Sequence, residues 1–283
     1  MAIRLVTDST SNLDQDTLRD LGITVIPLTV HFPTESFKEN EISCRCFYDK
    51  LAASSVIPTS SQPSPGEIEE VFCDLVASGD DVLGVFISSG VSGTYENALA
   101  ARANILSGQP RARIEIVDSL TTAMALGIVV LEAAREAQIG RSYSEVVACA
   151  RHLVSKVQFN FIPVSLEHLR KGGRIGGATA LLGTLLDIKP ILYYNQGKTA
   201  IKDKVRSTKA AIARMISLLE RDYNTTGIKY VIVQHINNLP GAKEVAALVR
   251  DRLGLDPSIV EVFPVVGMHV GPGSVGIIYC LEG

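Results

Sequence analysis

Short apolar runs and amphipathic stretches alternate along the first half of the chain. Residues 3–7, 82–87 and 114–117 are apolar runs, and residues 23–30 read as a further strand. Between them lie stretches with helical spacing: one after Ser11 or Asn12 that stops at Gly22, one over 43–54, and one opened by Ser64. Others run from Ser92 or Thr94 to 106, from 121 to 138, and from Ser142 to 156. Two openings carry a capping box, Ser64-Pro65-Gly66-Glu67 and Ser142 with Glu145, the first with proline at the first helical position. Strands that are apolar throughout, rather than alternating, fit a parallel sheet covered by helices on both faces.

The second half breaks this rhythm. Strands are expected at 159–164, 191–194, 199–205, 228–234, 259–265 and 275–281, and helices at 208–223 and 241–253. Asn195-Gln196-Gly197-Lys198 reads as a hairpin turn between two of the strands. A hairpin among β-α-β units implies a mixed sheet. The pattern therefore predicts an α/β protein of two domains. Residues 1–157 would hold a parallel sheet flanked by helices, and residues 158–283 a mixed α/β domain.

Composition narrows the class. Of 283 residues, 46% are hydrophobic and 20% charged, which supports a large core and argues against disorder. A mean hydropathy of +0.23 points to two buried sheets or to an apolar cavity with its own lining. Membrane insertion is not expected, since the apolar run at 124–131 is interrupted by Gly127 and ended by Glu132. The start, MAIRLVTDST, reads as a buried strand rather than an export signal, so the expected location is the cytosol. With a net charge of −3 and no long basic tract, no nucleic-acid partner is expected. Cys44, Cys46, Cys73, Cys149 and Cys280 are scattered without a CxxC pair and read as idle thiols, so no metal site is expected.

Ligands of parallel α/β sheets sit beyond the carboxyl ends of strands, at helix N-termini. Four hydroxyl-rich loops fall at such places: Asp8-Ser9-Thr10-Ser11, Thr59-Ser60-Ser61-Gln62-Pro63-Ser64, Ser88-Ser89-Gly90-Val91-Ser92-Gly93-Thr94-Tyr95, and Asp118-Ser119. Hydroxyls with free backbone amides make an anion site without a fixed charge, which suits one carboxylate better than a triphosphate. Neither GxxxxGK followed by Ser or Thr, nor GxGxxG after a strand, is present. Any single serine reads equally as a helix cap or turn former. In a fifth loop, Met268-His269-Val270-Gly271-Pro272-Gly273, His269 can donate to an oxyanion or be satisfied by a nearby carbonyl. A sixth, Leu169-Arg170-Lys171-Gly172-Gly173-Arg174-Ile175, reads as a phosphate grip, a docking loop or a solvated basic turn.

Together these segments resemble the DegV family, the fatty-acid-binding subunits of bacterial fatty acid kinase. The matching pieces are VTDSTSNL, PTSSQPSPGE, FISSGVSGTYENA, VDS at 117–119, LRKGGRIG, DIKPIL and HVGPGSVG, in order over nearly the whole chain. The resemblance implies a two-domain α/β fold with an acyl chain buried inside. It implies a carboxylate held by Ser60, Ser61, Ser92 and His269, with Arg170 and Arg174 meeting the kinase partner or the phosphate. Ser60 stands where the family usually has threonine. The implied partners are a long-chain fatty acid and a separate ATP-binding kinase subunit, which would convert the carboxylate to acyl-phosphate for phospholipid synthesis. The chain itself would perform no chemistry, use no cofactor and touch a membrane only transiently.

Energetics fit that role. Burying a methylene is worth roughly 0.8 kcal/mol, so a sixteen-carbon tail would supply on the order of 12 kcal/mol before entropy and strain. The head must be paired, because an unpaired buried carboxylate is very costly. Residues 159–164, 181–186 and 188–192 are candidates for the tail lining, although ordinary core explains each position singly. Two other readings stay open. One is a serine hydrolase using Ser92 and His269 with Asp8 or Asp118, although Ser92 lies outside a G-x-S-x-G elbow. The other is a carrier of another small organic acid.

Overall fold

The computed structural model describes residues 2–182 and 188–282. The chain begins β1 (Ile3–Asp8), α1 (Gln15–Leu21), β2 (Thr24–Ile26), β3 (Thr29–His31), β4 (Ser36–Lys38), α2 (Cys44–Ala53), β5 (Thr59–Ser61) and α3 (Pro65–Ala77). It continues β6 (Asp81–Phe86), α4 (Thr94–Gly108), β7 (Ile114–Asp118), α5 (Met124–Gln138), α6 (Tyr143–Lys156), β8 (Val157–Ile162) and α7 (Glu167–Lys171). It ends β9 (Lys189–Asn195), β10 (Lys198–Val205), α8 (Thr208–Thr226), β11 (Ile228–His235), α9 (Leu239–Leu253), β12 (Ser258–Glu261), α10 (Pro264–Val270) and β13 (Val275–Leu281).

These elements form the expected α/β architecture. One sheet, in the order β2-β1-β6-β7, is parallel throughout. A mixed sheet runs β10-β9-β8-β13-β11-β12, with only β11 and β12 parallel. Both capping boxes form, on Ser64 with Glu67 and on Ser142 with Glu145. The expected hairpin turns at Gln196 and Gly197 with φ of 48° and 79°, the primed geometry that matches strand twist.

Four expectations need correction. Residues 23–30 are not one strand: Pro27, which lacks an N–H, separates β2 from β3, and β3 joins a small antiparallel sheet β4-β3-β5. The strand expected at 259–265 stops at Glu261, and Pro264 instead occupies the first turn of α10. The loop expected at 268–273 is therefore helix as far as Val270, and His269 stands on its last turn. The helix expected from 121 begins at Met124, because Leu120 and Ala123 adopt positive φ of 54° and 57° and hold the preceding residues as a loop.

The core is layered. Val6, Phe86 and Ile116 on one face of the parallel sheet pack against Ile68 and Phe72 of α3 and Ala98 and Ala101 of α4. The opposite face, through Leu5, Leu83 and Val85, packs on α5 and α6. Those same two helices also cover the mixed sheet, through Ile232, Ile278 and Cys280. Helices α8 and α9 close its far side against Ile191, Val233 and Ile277. The order is helices, sheet, helices, sheet, helices. A division between residues 157 and 158 falls at the first residues of β8, directly after this shared helical layer.

Candidate functional site

A pocket of about 420 Å³, partly open to solvent, lies between the loop after β6, strand β5, the loop after β7 and helix α10. Its polar lining is Ser60, Ser92, Thr122, Arg174 and His269, and Leu28, Val265, Val266 and Val270 form apolar wall. Helical spacing explains α10's share: Val265 and His269 stand one turn apart, as do Val266 and Val270, so a single face looks into the pocket. The helix is held from behind by Tyr48 of α2, whose hydroxyl donates to Val262 O at 2.7 Å. Gly267 permits that approach, since a Cβ there would lie 2.0 Å from the Tyr48 hydroxyl.

His269 is the centre of the polar set. Its Nε2 lies 2.9 Å from Ser60 Oγ. Its Nδ1 is buried and has no partner among the described residues. Burial, followed by the positive charges of Arg174 and His168, pushes the imidazole down to about 4, so the ring is neutral near pH 7. Gly172 lets the basic loop pass tightly over it: a Cβ there would lie 2.3 Å from Nδ1. Arg174, from the same loop, donates from Nε to Val91 O at 3.0 Å and from Nη1 to Gly172 O at 2.5 Å. Its guanidinium is thereby fixed at the pocket, and an arginine has five N–H donors to offer. Ser92 Oγ is 2.9 Å from Thr94 Oγ1.

The structure brings together Ser60, Ser92, His269 and Arg174, and it separates Ser61 and Arg170 from them. Successive residues of a strand point to opposite faces, so Ser61 of β5 turns away from Ser60 and meets His31 Nε2 at 2.9 Å. Arg170 is exposed on α7, outside the lining. Thr122 was missed by sequence reasoning. Its Oγ1 is buried and unpartnered among the described residues, and it faces the pocket. The signal was the hydroxyl run Ser119-Leu120-Thr121-Thr122, obscured by placing a helix over its second half.

The other hydroxyl loops are engaged in the fold. Asp8 accepts from Thr10 N at 2.9 Å, Thr10 Oγ1 at 2.5 Å and Ile87 N at 2.7 Å, which ties the ends of β1 and β6 together. Ser9 Oγ accepts from Leu28 N, and Ser119 Oγ donates to Thr121 O. Asp118 accepts from Leu120 N at 2.9 Å. Neither aspartate hydrogen-bonds to His269 among the described residues, and His269 pairs with Ser60 rather than Ser92. No Ser-His-Asp relay is assembled there.

Adjoining this pocket is a second, narrower apolar space. The two share Tyr194, Val266 and Val270. Phe159 and Phe161 line it, from the first of the three expected tail segments, whereas Ile191 and Ile162 face α8 and α9 instead. Residues 183–186 of the second segment lie outside the described residues.

The sequence pattern of the DegV family of uncharacterised proteins matches residues 2–282. The chain belongs to the DegV family. It is 41% identical to a DegV domain-containing protein of Clostridium perfringens, over all of both chains. Its fold is similar to that of a DegV family protein from Thermus thermophilus described as fatty acid binding, at 30% identity and a TM-score of 0.87, covering 99% of this chain and 100% of that one. It is similar also to DegV of Bacillus subtilis, described as a fatty acid binding protein, at 30% identity and a TM-score of 0.88 over all of both chains. Among the described residues of this DegV-family chain, no helix is long and apolar enough to cross a membrane.

Proposed function

We propose that this DegV-family protein binds a long-chain fatty acid, with the carboxylate in the pocket of Ser60, Ser92, Thr122, Arg174 and His269 and the tail in the apolar cavity behind it. One observation carries the reading: neutral donors and one fixed guanidinium converge at the mouth of an apolar cavity that shares walls with their own pocket. A carboxylate there accepts from hydroxyls and the imidazole, while the arginine balances its charge. The fatty acid binding described for the relatives in Thermus thermophilus and Bacillus subtilis supports the same ligand class.

On this reading the chain works in the cytoplasm as a carrier and not as a catalyst. Its partly open pocket presents the carboxylate to an ATP-binding kinase subunit, which makes the acyl-phosphate that enters phospholipid synthesis. Exposed Arg170 and Lys171, beside pocket residue Arg174, give that partner a basic docking edge. Loading from a membrane requires only transient contact. Organic extraction of protein purified from cells, followed by mass spectrometry and by titration of delipidated protein with palmitate, tests the binding. Recovery of a long-chain acid and saturable binding are expected. Absence of both sinks the proposal. Acyl-phosphate formation with ATP and a cognate kinase subunit tests the presentation step separately.

A further inference from the structure

We infer that Gln234 makes the inner cavity a site for fatty acids that carry a hydroxyl part-way along the chain. This rests on the fatty-acid reading above and names the acid more closely. Gln234 is on β11 and only 1% exposed. It lines the inner cavity with Phe159, Phe161, Ile236 and Val262. Neither its Oε1 nor its Nε2 has a partner among the described residues. Two hydroxyls share that lining, those of Tyr194 and Ser274, and Ser274 Oγ already donates to Gly271 O at 2.7 Å and accepts from Val164 N at 3.4 Å.

Register shows how unusual the amide is. Abreast across the mixed sheet stand Leu192, Phe161, Gly276, Gln234 and Val260. Every other member of the row is apolar or lacks a side chain. Gly276, directly beside the amide, leaves its place to the aromatic lining: a Cβ there would meet the Phe159 ring at 2.9 Å and Phe161 Cβ at 3.0 Å. A leucine at 234 would complete an apolar tunnel. A primary amide buried without partners in such surroundings is costly, so its presence needs a polar counterpart.

The cavity walls locate that counterpart along the ligand. Val266 and Val270 border both spaces, so a chain whose head is at His269 runs along α10 before it reaches Gln234. The polar group therefore belongs to the middle of the tail. A hydroxyl satisfies both atoms, donating to Oε1 and accepting from Nε2. A keto group can only accept and leaves Oε1 unpaired, and a methylene leaves both unpaired.

The test is titration of delipidated protein with stearate and with a positional series of monohydroxystearates. One positional isomer should bind about tenfold more tightly than stearate. Gln234→Leu, or Gln234→Met should the first fail to fold, should erase that preference. If no isomer is preferred, or if the preference survives in the variant, the inference is overturned and the fatty-acid reading stands. If no acid binds at all, stearate included, both fall together.

Discussion

Two hydroxyl-rich regions lie at the strand ends of the parallel sheet, and they use their polar atoms differently. Around Asp8, the groups bond one another: Thr10 and Ile87 donate to the carboxylate, and Ser9 accepts from Leu28. Val265 N donates to Glu39 at 2.7 Å, and Glu39 Oε2 is left over on a carboxyl that burial pushes up to about 7. Around His269, by contrast, Thr122 Oγ1 and His269 Nδ1 are buried and unpartnered among the described residues, on side chains that line a pocket. The first region uses most of its polar atoms to hold β1, β6 and α10 in place. The second has capacity to spare. In sequence both read as serines and threonines after a strand, so only the bonding tells a brace from a binding site.

The largest expected effect breaks the brace. Asp8→Ala leaves two backbone amides and a hydroxyl without their acceptor, and should lower unfolding free energy by about 3 kcal/mol in urea titration. An unchanged midpoint would mean that the two regions do not differ as argued. Next in size, Ser92→Ala and His269→Ala should each weaken fatty acid binding roughly tenfold to hundredfold by calorimetry, with thermal midpoints moving little. A variant that loses stability but keeps affinity would reverse the assignment.

Acid titration sharpens the contrast, because the two regions pull in opposite directions. Glu39 is raised from 4.5 to about 7, so the folded state holds its proton more tightly and this contribution is lost as pH rises through that window. His269 is lowered from 6.5 to about 4, so its contribution is lost as pH falls from 6.5 towards 4. Between pH 4.5 and 6.5 these two contributions oppose. His269→Gln removes the rising one, so the slope of its stability curve there should lie below the wild type's by up to about 1.4 kcal/mol per pH unit. A variant curve with the wild-type slope would count against this balance. The smallest effect is expected from Thr122→Val, which removes an unpartnered buried hydroxyl at nearly constant shape. Stability should hold or rise slightly, and affinity should drop about threefold in the same calorimetric assay.

Much of this was legible in the sequence where local chemistry decides. The continuous burial of Asp81–Phe86 follows from its apolar run, and the helices opened by Ser64 and Ser142 follow from their capping boxes. The α/β class and the participation of Ser60, Ser92, Arg174 and His269 in one pocket came through as well. What stayed hidden depends on geometry without a sequence period. The facing of Ser61 follows from β5 being a strand of three residues, too short for alternation to register. The place of Thr122 depends on positive φ at Leu120 and Ala123, residues that rarely adopt it. His269 was assigned to a glycine loop because the helix that carries it is one of seven residues, opened by a proline that also ends a strand pattern.

The helical layer shared by the two sheets has a consequence for how the molecule comes apart. Helices α5 and α6 bury one side against Leu5, Leu83 and Val85 and the other against Ile232, Ile278 and Cys280. Neither half can detach without stripping an apolar surface that the other half dries. Heat or denaturant should therefore melt the chain in a single cooperative step, and residues 1–157 expressed alone should aggregate through the bared flank of α5 and α6. Gene fusions and circular permutations that respect the apparent halves would cut through this apolar seam, whereas the exposed turn at Gly140 offers a break that leaves it closed.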